Sequence, residues 1–190
     1  ESLVEQTTAD DLRRFLLDII ADDSDIRDRF VAFAGEDTDK TVYDYKQELD
    51  QLFDDAVSQR GMIEYDTHID FSQYSDLAET HRTRGHVETA TDIYRAIAES
   101  IRENMNRIDG SSGYFGREVE RAIESYAETV AEHNLNHERK QPHIEYLCDA
   151  FLGADHGFAS DSYDDALRTL CTSDADLEYW LQLLDERISG

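Results

Sequence analysis

Proline occurs once in 190 residues, at Pro142, and cysteine twice, at Cys148 and Cys171. A single proline leaves long stretches free to be helical, because proline removes a backbone donor and breaks a helix interior. Two cysteines exclude a disulfide-stapled scaffold, which needs more bridges, and both lie in apolar helical patterns where buried thiols are expected. Lysine is almost as scarce: Lys40, Lys46 and Lys140 stand beside fifteen arginines. With so few bases there is no stripe to neutralise phosphates, so direct nucleic-acid binding is not expected. No apolar run approaches the roughly 20 residues that span a bilayer, and no secretory signal pattern opens the chain. A cytoplasmic location without membrane partners is the expectation. The first residue is Glu1, not Met, so the chain is also expected to be a segment of a larger intracellular protein.

What the chain does have is acid. Forty-four aspartates and glutamates against eighteen bases give a formal net charge of −26. Hydrophobic residues make up 39% and aromatics 10%, enough for a packed core and unlike an acidic disordered tail. The carboxylates are spread over the whole chain rather than gathered at one place. A site for a basic partner concentrates charge, whereas adaptation to molar salt spreads it and depletes lysine, so a salt-adapted origin is expected.

Apolar residues recur at three and four positions, and no run alternates with period two, so the fold class is all-α. Thr8 caps a first helix on Leu12, Leu16 and Ile19, running to about Ile20. Asp22-Asp23-Ser24 restarts a second on Ile26, Phe30, Val31 and Phe33, ended by Gly35. A third spans about Thr41 to Gln59 before Gly61, and Asp66 caps a fourth that ends at Gly85. The fifth carries one stripe from Val87 through Ile93, Ile97 and Ile101 to Ile108. After the turn Asp109 to Gly113, with Ser111 or Ser112 as cap, a sixth bears Phe115, Val119, Ile123, Tyr126 and Val130. Asn134 to Gln141 reads as a polar connection, with Pro142 in the first turn of helix seven. Asp161 caps a short eighth helix, and the capping box from Ser173 to Asp176 opens the ninth. About nine amphipathic helices with short connections predict antiparallel helical hairpins stacked as an α-α superhelix. Residues 1–132 form the helical-repeat region, and the helices of 133–190 pack on the same body.

Within Phe71 to Asn104, Tyr74, Leu77, Ala78, His81, Gly85, Val87, Ala90 and Tyr94 fall where a tetratricopeptide hairpin places its large, small and turn residues. Ile97 departs from that pattern, standing where a small residue is usual. Asp10-Asp11-Leu12-Arg13-Arg14-Phe15-Leu16-Leu17, followed by Asp23 through Phe30, resembles the helix, acidic step and helix of SWIM zinc-finger-containing proteins of the haloarchaeal type. Gly85-His86 and the turn Ile108 to Gly116 are similar to later features of the same family, over about the first 130 residues. In that turn Ser112 replaces the usual acid and one leading Asp is missing. The resemblance implies a helical region downstream of a Cys-x-Cys…Cys-x-His finger. Neither motif occurs here, so no zinc ligand carries over and no cofactor is expected in this segment.

Few residues offer chemistry. His133, His137 and His143 cluster in sequence, the first two at the four-residue spacing that places imidazoles on one helix face, and they are the candidate metal ligands. Solvated loop histidines are the plainer reading of the three. Cys148 has His143 and His156 near in sequence, the starting point for a cysteine nucleophile. Asp54-Asp55 and Asp164-Asp165 are expected to be solvated pairs, and Glu120, Glu124 and Glu128 an outer charged face. The Asp109 to Gly113 turn lacks the alternating acids and closing Glu of a calcium loop. If hairpins stack, His81 and Arg84 on the fourth helix are candidates for the wall of a peptide groove. The leading expectation is a non-enzymatic interaction or scaffold domain with a protein partner. A metal-dependent or cysteine-based enzyme is the alternative, and an acidic module that captures basic proteins a third reading.

Overall fold

The computed structural model of the protein describes residues 7–34, 39–109, 113–154 and 159–189. It is all-α: nine helices and no strand among the described residues, with one short 3-10 turn. The helices are α1 (Ala9–Asp22), α2 (Ser24–Ala34), α3 (Val42–Ala56), α4 (Ser72–Arg84), α5 (Val87–Asn104), α6 (Tyr114–Glu132), α7 (His137–Leu152), α8 (Ser160–Leu170) and α9 (Asp174–Ser189).

The body is organised around α5. Its expected stripe is buried, including Val87, Ile93, Ile97 and Ile101, but so are Ala96, Ala98 and Ser100 on its other sides. A helix buried on nearly every side belongs at the centre of a fold. Here the small residues let α3, α4 and α6 all pack against it. From this centre the contacts run outward in both directions. α4 carries α2, which carries α1; α6 carries α8, then α7, then α9. The contact of α6 with α8 crosses the junction at residue 132.

Local chemistry explains the turns. Gly85 adopts φ of 83°, a left-handed conformation that costs a side chain dearly, and its N–H and that of His86 bond back to Arg82 and His81 carbonyls. Thr41 and Asp44 form a reciprocal capping box at α3, and Ser173 and Asp176 another at α9. Between α3 and α4 the chain passes through two turns without a helix. Ile63 pairs with Ile108 in an isolated bridge, its N–H bonded to the Arg107 carbonyl at 2.7 Å. Phe53, Phe71 and Phe115 meet beside it with ring centroids 5.9 to 6.4 Å apart, joining α3, this segment and α6.

Three expected helix starts differ, and α3 ends at Ala56 and α5 at Asn104, short of the expected Gln59 and Ile108. Helix α4 starts at Ser72, not Asp66: Ile69 and Phe71 ahead of it are buried, and Asp70 accepts the Ser72 N–H at 2.9 Å. Helix α7 starts at His137, capped by Asn136, which accepts the Arg139 N–H at 3.0 Å. Pro142 therefore sits inside α7, in its second turn, and costs one helical hydrogen bond. Its ring is on the exposed side, while His143, Ile144 and Leu147 on the buried side hold the helix together. Helix α8 starts at Ser160, with Asp161 in its first turn and not at the cap. Gly35, Ser111 and Ser112, expected to end α2 and to cap α6, lie outside the described residues.

Candidate functional site

The three candidate metal ligands are not brought together. Helix α6 ends at Glu132 and the chain turns at Asn134, with φ of 47°, so His133 and His137 never share a helix face. Each ring has its own partners. His133 places Nδ1 2.7 Å from the Thr129 carbonyl and Nε2 3.1 Å from the Arg82 carbonyl, which ties α6 to the end of α4. His137 places Nδ1 2.8 Å from Asp176 Oδ1, and its Nε2 faces the Gln141 amide at 3.1 Å. His143 is buried, its Nδ1 2.7 Å from the Tyr126 hydroxyl. Among the described residues no group of three or more His, Cys, Asp or Glu is placed to hold a metal.

The polar clusters these rings join are structural ties between helices. Asp176 is the densest. Its side chain is 2% exposed and accepts from His137, from Lys140 at 3.2 Å and from the Ser173 N–H at 3.3 Å. Burial alone pushes its carboxyl up; the bonds from His137, Ser173 and Lys140 outweigh that and hold it at about 2. This hub joins the first turn of α7 to the first turn of α9.

His143 is the opposite case. Burial pushes its imidazole down to about 4, so the ring is neutral in the folded chain and can accept the phenol proton of Tyr126. The unfolded ring titrates near 6.5 and binds a proton that the folded one refuses. Stability from this group is therefore lost as pH falls from about 6.5 to about 4, by on the order of 3 kcal/mol, and falls no further below that. A His143→Gln variant keeps a neutral acceptor and should lack this component. Urea midpoints of the two chains between pH 7 and 4 measure it; parallel pH profiles would contradict the assignment.

Cys148 and Cys171 are both free thiols. Both are buried, and burial raises the Cys148 thiol and pushes the Cys171 thiol to about 11, away from the thiolate that attack requires. His143, the nearer of the histidines considered for Cys148, bonds to Tyr126; His156 lies outside the described residues. Of the paired acids, Asp54 binds Arg107 at 2.7 Å, Asp55 accepts from Gln51 and Asp164 binds Arg168 at 2.8 Å.

The proposed groove wall is also rearranged. His81 is 1% exposed, and its Nδ1 lies 3.0 Å from Nδ1 of His86, where the two rings clamp the α4–α5 turn. Its position toward α5 follows from the same hairpin pattern that nominated it, so it faces inward and not toward a ligand. Arg84 is exposed, with its guanidinium 5.1 Å from the ring centroid of Phe33 on α2. Glu120, Glu124 and Glu128 form one wall of an open cleft of about 430 Å³, facing Ser162, Asp165 and Thr169 of α8. Glu128 is also within 3.6 Å of Arg82.

Two other surfaces stand out, and periodicity did not distinguish them from core. Helix α1 buries no residue at all: Phe15, Leu16 and Leu17 are 61%, 42% and 61% exposed. On α2, Ile26, Phe30 and Phe33 are 38%, 41% and 65% exposed, while Ala32 turns inward against α4. At the other end, α9 shows Leu177, Leu181 and Ile188 at 41%, 64% and 73%. Their three- and four-residue spacing is the signal of an amphipathic helix, which is the same whether a face meets the core or a partner. No helix of the described residues is long and apolar enough to cross a membrane. Comparison of the chain with protein-family models, with curated proteins and with solved structures finds no match.

Proposed function

We propose that the chain is a non-enzymatic helical interaction domain, a scaffold that binds protein through the apolar faces of its terminal helices. The observation that carries this reading is the exposure of Phe15, Leu16, Leu17, Ile26, Phe30 and Phe33 at one end and Leu177, Leu181 and Ile188 at the other. Contiguous apolar surface of this kind is rare on a solitary soluble protein and marks a contact site. The polar clusters favour the same reading, since His133, His137, His143 and Asp176 are spent on joining helices. In keeping with the resemblance to SWIM zinc-finger-containing proteins, the domain belongs to a longer, salt-adapted cytoplasmic protein. Its tetratricopeptide-like hairpin, α4–α5, is then the rigid centre that holds the binding ends apart.

Capture from the source-cell lysate in molar KCl tests the reading, with a Phe15→Asp/Leu181→Asp double variant alongside. Screening at that salt removes loose charge contacts but leaves apolar ones. The expected result is a stoichiometric protein retained by the native chain and lost from the variant. Equal retention by both, or none by either, would remove the support.

A further inference from the structure

One ring bridges the ends of α4 and α6. The last turn of α6 holds no base, so its terminal carbonyls meet their first cationic candidate at the C-cap, His133. Its Nδ1 lies 2.7 Å from the carbonyl oxygen of Thr129, in the last turn of α6. Its Nε2 lies 3.1 Å from the carbonyl oxygen of Arg82, in the last turn of α4.

Both partners can only accept. A neutral imidazole has one donor nitrogen and one acceptor nitrogen, and both donate only in the imidazolium. Turning the ring over does not help. It would set carbon at 2.7 and 3.1 Å from these oxygens, inside the roughly 3.3–3.6 Å of a C–H···O contact. The surrounding charge favours a cation as well. From α4 comes Arg82, whose guanidinium is taken up by Glu132 at 2.6 Å, Glu79 at 3.3 Å and Glu128 at 3.6 Å. Three carboxylates about one guanidinium leave this corner net negative. At the α4–α5 turn Arg84 lies over Phe33 and His86 against His81, and past the end of α6 His137 bonds to Asp176. The bond from Arg82, and less so the charge of His133, hold the Glu132 carboxyl below its usual range.

We infer that His133 is held as an imidazolium, a charged clasp shared by the last turns of α4 and α6 that opens when the ring gives up its proton. A neutral ring keeps a proton on one nitrogen only. That proton stays on Nδ1, whose bond is the shorter and lies within α6 itself. Nε2 then turns a lone pair toward the Arg82 carbonyl, and the bond between the two helices is the one lost. The sign of the pH dependence follows. The folded chain keeps a proton that an unfolded histidine releases near pH 6.5, so the clasp contributes fully below that pH and its contribution is lost as pH rises above it. This is opposite in sign to the His143 component, which is lost as pH falls.

Nitrogen NMR of the histidine rings in the native chain tests the charge state directly. At pH 7.5 an ordinary histidine is about nine-tenths neutral. Both ring nitrogens of His133 are expected to carry protons at that pH, and one bare nitrogen would overturn the inference. Urea denaturation of the native chain beside a His133→Gln variant tests the clasp. Glutamine offers a neutral donor that does not titrate, the position is partly exposed, and circular dichroism checks that the variant folds. His143 is present in both chains, so its component cancels in the comparison. Between pH 5.5 and 7.5 the unfolding constant of the native chain is expected to rise about tenfold relative to that of the variant. Parallel profiles over that range would overturn the inference too, since a merely structural tie costs the same at every pH.

Discussion

Replacing Asp176 with alanine is expected to destabilise the chain by about 3–5 kcal/mol, the cost of removing one partner from a buried ion pair. The carboxylate has almost no contact with solvent, and it gathers His137, Lys140 and the Ser173 N–H. Without it, the Lys140 ammonium, itself 12% exposed, keeps only the Leu170 carbonyl and the Thr172 hydroxyl, and α9 loses half of its capping box. The pH dependence has a definite sign. Because the folded pKa is depressed to about 2, the contribution is complete above the unfolded value near 3.9 and is lost as pH falls through about 2. Asp176→Asn keeps an acceptor and removes the charge, so it should fall between the native chain and the alanine variant at neutral pH. Urea denaturation at pH 7 gives all three values. An alanine variant within about 0.5 kcal/mol of the native chain, the range of ordinary surface changes, would show that the hub does not hold α9.

Phe53→Ala should cost a similar amount, about 3–5 kcal/mol, for a different reason. Phe53 is fully buried, and its ring faces both Phe71 and Phe115. Truncation opens a cavity where α3, the segment before α4 and the start of α6 converge. The segment is held as well by buried Ile63, bonded to the residues after α5, and by the Tyr114 hydroxyl on the Ile69 carbonyl, so the junction shares the load with these ties. A loss of that size corresponds to a fall in melting temperature on the order of 10 °C for a chain of this length. Phe53→Leu refills most of the space and should recover most of the loss. If the alanine variant melts within a degree or two of the native chain, the aromatic junction is not what fixes α3.

Residue periodicity made most of the fold readable. The lines through Leu49 and Phe53, through Ile93, Ile97 and Ile101, and through Val119, Ile123 and Tyr126 all became core. Capping chemistry was legible where it is local: Thr8 accepts the Asp11 N–H, and Thr41 with Asp44 and Ser173 with Asp176 form their boxes. The start of α4 was less so, because Asp66 is as good a cap as any by composition. Long-range burial of Ile69 and Phe71, which no local rule encodes, decides that the helix waits until Ser72. Pro142 misled in the same way, since a proline at the edge of a polar stretch looks like a helix start.

The candidate site was harder to read. The spacing of His133 and His137 implied a shared face only if one helix carried both, and a left-handed Asn134 ends that helix between them. Glu120, Glu124 and Glu128 do follow one face of α6, but that α8 lies opposite them is a fact of tertiary packing. The apolar lines of α2 and α9 were present in the residue order all along. They acquire meaning only once Ala32 and Leu183 are known to mark the inward sides of those helices.

Amide hydrogen exchange in molar KCl, followed with and without the protein captured from lysate, tests most directly whether the terminal faces are where this chain meets its partner. The expected result is a gain in protection on binding, confined to α1, α2 and α9, with α4 to α8 unchanged. Protection that gains at the α6–α8 cleft instead, or at no helix, would contradict the assignment of the terminal faces as the contact surfaces.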